Sequence, residues 1–158
     1  MIPVALRPAR ESDREFLFAL LQGALCPHIV KTFGPWREAE QREHFFASLK
    51  LPLHQIVELA GEPVGCLSVA RSGEQLKLNR VFLLPSHQGR GIGSQLVRAL
   101  ADEADASGVP VRLRVFKLNP ARRLYERLGF RVTGEIENHF LMERAPRSAG
   151  TLVEQSAR

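Results

Sequence analysis

With 158 residues, 44% of them hydrophobic, the chain can bury one sizeable core and not two comfortable ones. Its formal charge of +5 comes from arginines scattered at 7, 10, 14, 37, 42, 71, 80, 90, 98, 112 and onward, which argues against a nucleic-acid-binding domain while still suiting a ligand with several phosphates. No run of about 18 apolar residues occurs, and the opening Met1-Ile2-Pro3-Val4 lacks a charged region followed by a long apolar stretch, so a cytoplasmic protein without a membrane partner is expected.

A single domain is expected over residues 1–145. The polar, small-residue-rich stretch 146–158 carries no apolar period and reads as a flexible tail. Cys26 and Cys66 stand forty positions apart with no CxxC pair or histidine array beside them, so they read as buried thiols, with neither a disulfide framework nor a metal site.

Residues 4–7 read as a short strand. After Pro8, the series Leu17, Leu20, Leu21 and Ala24 gives an apolar stripe at helical spacing, capped near Ser12. Residues 26–34 read as irregular, Pro35 suits a first helical position, and residues 39–49 continue helically with Phe45, Phe46 and Leu49 turned inward. Phe33 and Trp36 fall between these helices.

Residues 55–59, the turn Ala60-Gly61-Glu62-Pro63 and residues 64–70 form a hairpin signal, and Ser72-Gly73 makes the next turn of an antiparallel meander. In the following strand, 75–84, apolar alternation runs at Leu76 and Leu78, then resumes at Val81 and Leu83 with shifted parity. An extra residue near Asn79-Arg80, a β-bulge, explains the shift; a strand buried on both faces is the alternative, since Phe82 and Leu84 are also apolar.

Beyond Pro85, Ile92, Leu96, Val97, Leu100, Ala101 and Ala104 make the clearest helical stripe, closed near Ser107-Gly108. A strand over 111–116, a short helix carrying Ala121, Leu124, Tyr125 and Leu128 that stops at Gly129, and strands over 130–135 and 139–143 complete the order β, α, α, β, β, β, α, β, α, β, β.

Between the fourth strand and the third helix stands Gln88-Gly89-Arg90-Gly91-Ile92-Gly93-Ser94. Glycines let a backbone turn tightly and approach a ligand, and the unpaired N–H groups and positive dipole at a helix start favour an anion such as a pyrophosphate. A P-loop is excluded because no Gly-Lys-Ser/Thr follows. A dinucleotide fingerprint fails because Ser94 and Leu96 stand where its last glycine would, and Phe116-Lys117 where its acid would.

This loop resembles the Q/R-x-x-G-x-G/A acyl-CoA loop of the GNAT superfamily of N-acyltransferases, and Asn119-Pro120-Ala121-Arg122-Arg123-Leu124-Tyr125-Glu126-Arg127-Leu128-Gly129-Phe130 resembles the stretch after the fifth strand in many bacterial members. The resemblance spans about residues 4–144. It implies an α/β (α+β) fold with a mixed, mostly antiparallel sheet, splayed between strands 4 and 5 and flanked by about four helices. The implied activity is N-acetyl transfer from acetyl-CoA, without a metal, to an amine of a small molecule or peptide, by a monomer or homodimer.

By position, the resemblance assigns the pyrophosphate to the backbone amides of Gln88, Gly89, Arg90, Gly91, Ile92, Gly93 and Ser94. Val81 and Leu83 would pair with the pantetheine arm, Asn119 would touch the cofactor further along, the Leu83 N–H would hold the oxyanion, and Tyr125 would be the general acid. An oxyanion donor is worth about 3 to 4 kcal/mol and alignment about 7 to 11 kcal/mol, so positioning carries most of the catalysis. Proton transfer from an ordinary tyrosine to a thiolate runs uphill by roughly 2 kcal/mol.

The base is open. A lysine-like amine is only about one part in 2,500 neutral at pH 7, and where many members carry a glutamate this chain has Asn79, which cannot accept a proton usefully. His139 or Glu43 can serve instead, the amine can arrive with a low pKa, or the proton can leave to solvent. Phe33, Trp36 and Asn79 are candidates for the acceptor pocket. The missing glutamate also keeps a second class in view, a CoA-binding regulatory or interaction module with weak catalysis.

Overall fold

A computed structural model describes residues 2–147, without the side chains of His28, Thr32 and Phe33. The strands are β1 (Val4–Pro8), β2 (His54–Leu59), β3 (Glu62–Arg71), β4 (Leu76–Leu83), β5 (Val111–Phe116), β6 (Arg131–Ile136) and β7 (His139–Arg144). The helices are α1 (Arg14–Phe33), α2 (Glu38–Ser48), α3 (Ile92–Ser107) and α4 (Ala121–Arg127), and the element order is the one expected. The sheet runs β1-β2-β3-β4-β5-β7-β6; β4 and β5 are parallel, while the other registered pairs are antiparallel. The fold is therefore the mixed α/β one expected.

The chain forms two compact units. One takes the residues up to Val69 together with Asn79–Gly93, and the other takes Ala70–Leu78 and the residues from Ser94 on. The tail expected over 146–158 lies, from residue 148, outside the described residues.

In the first unit, Leu17, Phe18, Leu20 and Leu21 of α1 and Phe45 of α2 are buried with Ile56 and Cys66 of the sheet. Phe18, Phe45 and Phe46 meet at centroid distances of 5.5 to 5.8 Å, close enough for tilted and edge-on ring contacts. Helix α1 corrects two expectations. Residues 26–33 continue the helix through Pro27, because Leu25 packs against this core while Pro27 faces outward, and Gly34 at φ 98° ends it. Ser12 does not cap it; Asp13 stands at the N-cap, and its carboxylate instead accepts the Arg10 N–H at 2.7 Å and is paired with Arg7. Pro35 precedes α2 and lies outside it.

Strand β3 starts at Glu62, earlier than expected, and its register against β2 shifts between Val57 and Glu58, where Pro63 can donate no ladder bond. A Cβ on Gly65 would lie 2.7 Å from Leu83 Cδ2 and against the Phe82 carbonyl, so only glycine permits this approach of β3 to the end of β4. Cys66 is buried, which pushes its thiol up to about 12, whereas Cys26 is partly exposed, contrary to expectation.

In the second unit, Leu96, Val97, Leu100, Ala101 and Ala104 of α3 are buried, as are the alternating Val111, Leu113 and Val115 of β5. Gly108, at φ 67°, closes α3. Arg144 of β7 makes a two-pronged pair with Asp105 of α3 at 2.9 and 3.2 Å. The parallel β4–β5 register covers just Leu76 with Val111 and Lys77 with Arg112.

Candidate active site

Strand β4 keeps its in-and-out alternation from Leu76 to Asn79 and loses it at Arg80, where four consecutive residues become half-buried. Its end is tied down: the Leu84 N–H donates to Val64 O at 2.8 Å, and the Gln88 side chain donates to Leu83 O at 3.0 Å. Val81 and Leu83 thus sit half-buried on a strand that Gly65 approaches closely and Gln88 braces.

A 3-10 turn over Pro85–His87 leads into the glycine loop. Gly89 at φ 74° and Gly91 at φ 85° occupy the left-handed region, with open space where a Cβ would stand. The N–H groups of Gly89, Arg90 and Gly91 find no acceptor among the described residues, and Ile92, Gly93 and Ser94 begin α3 with amides that no helical carbonyl can reach. No acidic side chain lies in the first turn of α3. Consecutive free amides on a backbone twisted by two glycines suit an anion. Gln88 differs from the rest, since its N–H already donates to Pro85 O at 3.3 Å; it serves the loop through its side chain instead.

In the second unit, Tyr125 of α4 is 8% exposed and lies edge-on to Phe130 with ring centroids 5.7 Å apart. Burial pushes its pKa up to about 12, and its hydroxyl makes no hydrogen bond among the described residues. It is therefore a protonated, uncommitted donor at neutral pH. Asn119 Oδ1 accepts the Ala121 N–H at 2.9 Å, so its carbonyl is spent on starting α4 and its amide NH2 is what remains for a ligand.

His139 opens β7 with its ring 4.2 Å from that of Phe116, and burial holds its pKa below the usual imidazole range, leaving it neutral at pH 7. Glu43 is exposed on α2 and Asn79 is exposed on β4. Trp36 packs against the aromatic core of the first unit, and its indole N–H is enclosed without a hydrogen-bond partner among the described residues. The side chain of Phe33 lies outside the described residues. Among the described residues no three histidine, cysteine or acidic side chains gather as a metal site would need, and no helix is long and apolar enough to cross a membrane.

Sequence reasoning missed one pair. His54 of β2, 4% exposed, places Nδ1 2.8 Å from Lys50 O and Nε2 2.9 Å from Arg80 Nη1. A carbonyl only accepts, so Nδ1 carries the proton and Nε2 accepts from the guanidinium. Burial and the Arg80 charge both hold the His54 pKa below its usual range.

The family model described as an acetyltransferase (GNAT) domain matches residues 41–132. Among solved structures, an N-acetyltransferase of Thermoplasma acidophilum in complex with coenzyme A is similar over 91% of this chain and 99% of its own, at 17% identity and a TM-score of 0.74. The ribosomal-protein-S18-alanine N-acetyltransferase of Escherichia coli covers 93% of this chain and 96% of its own, at 20% identity and a TM-score of 0.66. An acetyltransferase of Thermus thermophilus covers 90% and 96%, at 21% identity and a TM-score of 0.68.

Proposed function

The chain belongs to the GNAT acetyltransferase family, and from that premise we propose that it moves an acetyl group from acetyl-CoA directly to a primary amine of a small molecule or peptide. The observation that carries the reading is the loop of free amides at residues 89–94, with Gly89 and Gly91 in the left-handed region and no acid at the start of α3. Bound acetyl-CoA supplies an activated thioester. Residues 1–145 act as one catalytic domain.

In this reading the amides of residues 89–94 hold the pyrophosphate, and the half-buried Val81 and Leu83 offer backbone to the pantetheine arm. The Leu83 N–H holds the oxyanion, worth about 3 to 4 kcal/mol. Tyr125 donates toward the leaving sulfur, and the Asn119 amide reaches the cosubstrate. Trp36 and Asn79 border the acceptor. His139, neutral at pH 7, is the side chain best suited to take the proton of the amine.

Asn79 favours a second reading, a CoA-binding module with little catalysis, because an exposed amide stands where a carboxylate base would. Calorimetry with acetyl-CoA, followed by a thiol-release assay over an amine panel, separates the two. Uptake of acetyl-CoA with acceptor-dependent thiol release is expected. Uptake without release selects the module, and no uptake by the folded protein ends both.

A further inference from the structure

We propose that Arg80 anchors a carboxylate carried by the acceptor, so that the substrates of this protein are small carboxylated amines such as free amino acids. The inference rests on the acetyl-transfer reading above and names the substrate class of that site.

Arg80 stands apart from the arginines that have found carboxylates. Arg7 pairs with Asp13 and Glu58, Arg42 with Glu15, Arg71 with Glu103, and the buried Arg144 with Asp105. Arg80 is only partly exposed, yet it has no carboxylate among the described residues; its one hydrogen bond runs to the neutral His54 ring. A guanidinium withdrawn from water without a counter-ion is unfavourable, and chains normally resolve this with an acid. Here none has been placed.

The guanidinium is also held in one pose. His54 is fixed by Lys50 O at 2.8 Å and grips Nη1, while the Phe45 ring lies 5.0 Å from the guanidinium carbon. What remains is the edge formed by Nε and Nη2. Those two donors are parallel and match the two oxygens of a carboxylate; Arg71 uses the same edge on Glu103, at 2.6 and 3.1 Å. On Arg80 neither nitrogen has an acceptor among the described residues, and neither is sealed from solvent, whereas the Trp36 indole nitrogen is. The free edge therefore keeps contact with solvent while lacking a protein acceptor.

Its place in the chain fits an acceptor site. Arg80 follows Asn79 and precedes Leu83 by three residues, roughly 10 Å along β4. That gap can be spanned by an arginine side chain together with a small amino acid whose amine lies one or a few carbons from its carboxylate. A planar fork whose remaining edge offers two parallel N–H groups also selects carboxylate over a bare amine tail.

The test uses matched acceptors with the full chain and acetyl-CoA: each of the common amino acids against its own α-amide, with aspartate and glutamate also set against asparagine and glutamine. At least one carboxylated amine is expected to exceed its amide partner roughly 10- to 100-fold in kcat/KM. In Arg80→Gln that preference should vanish, and in Arg80→Lys, which keeps the charge and loses the fork, it should fall by about 10-fold or more. Acetyl-CoA affinity by calorimetry should stay within about 2-fold in both. Equal use of acid and amide by the unaltered protein overturns the proposal, whatever the variants do. So does a protein that takes up acetyl-CoA and turns over only amines lacking a carboxylate, or none at all. Loss of acetyl-CoA uptake by the unaltered protein instead strikes the acetyl-transfer reading itself and removes this inference with it.

Discussion

Replacing Tyr125 with phenylalanine tests how the leaving sulfur is handled. With the hydroxyl at about 12 and a free thiol at about 8.5, complete proton transfer faces a gap of 12 − 8.5 = 3.5 units, or about 5 kcal/mol. An ordinary tyrosine faces roughly 2 kcal/mol. Burial has therefore made Tyr125 a poorer acid than its residue type suggests, while leaving its O–H free to donate. Its contribution should be one hydrogen bond to a group that is gaining charge, about 1.5 to 3 kcal/mol, which is about 10- to 150-fold in kcat. The ring survives the change and keeps its edge contact with Phe130, so folding should be little affected.

Thiol release at saturating acetyl-CoA, beside calorimetric affinity for acetyl-CoA, measures this directly. The expected result is the stated loss in kcat with affinity within about 2-fold. An unchanged kcat removes Tyr125 from the reaction. A loss far beyond about 1000-fold refutes the reasoning in the other direction, because a single hydrogen bond cannot supply it and the proton must then cross fully.

Two further tests address the scaffold. Gly65→Ala sets a methyl 2.7 Å from Leu83 Cδ2 and against a main-chain oxygen that cannot swing aside, so a loss of about 1 to 3 kcal/mol is expected. For a chain of this length that lowers Tm by about 2 to 12 °C in a calorimetric melt, and a Tm within about 1 °C of the parent would show that β3 and β4 can separate without cost. His54, whose folded pKa is depressed, adds stability that is present above its unfolded value near 6.5 and is lost as pH falls toward the folded value. Melts between about pH 7.5 and 5.5 should therefore show falling stability, by at most about 1.4 kcal/mol per pH unit from this residue, with Arg80 adding to the cost of charging the ring. His54→Gln should flatten the profile; an equally steep profile in that variant assigns the effect to His139, which shifts in the same direction.

Where one periodicity ran unbroken, the fold was legible in the chain. The stripe from Ile92 to Ala104 and the alternation of Val111, Leu113 and Val115 have one geometric solution each, and both are buried as expected. The errors fall where a local rule met a tertiary one. Pro27 signals a helix end by local chemistry, yet Leu25 packs on the core and the helix continues to Phe33. Pro63 likewise hid the start of β3, which tolerates it beside a register shift. Gly65 was a missed signal of another kind: a glycine inside a strand marks a close backbone approach, here to the stretch of β4 that carries Leu83.

The loop at residues 88–93 could be read because its chemistry lies in backbone amides and glycine dihedrals, both local to a few consecutive residues. The His54–Arg80 pair could not. It joins positions 26 apart, on strands that both flank β3, and recognising it needs the register of His54 against Ser68 as well as the face of β4 that Arg80 occupies. That face is undetermined from sequence, because Arg80 sits where the apolar parity of the strand breaks, so alternation assigns it inward from one end and outward from the other. A break in period is thus informative in itself. It marks the residues whose direction is set by neighbouring strands, and at Arg80 it left a charge that nothing in its own segment neutralises.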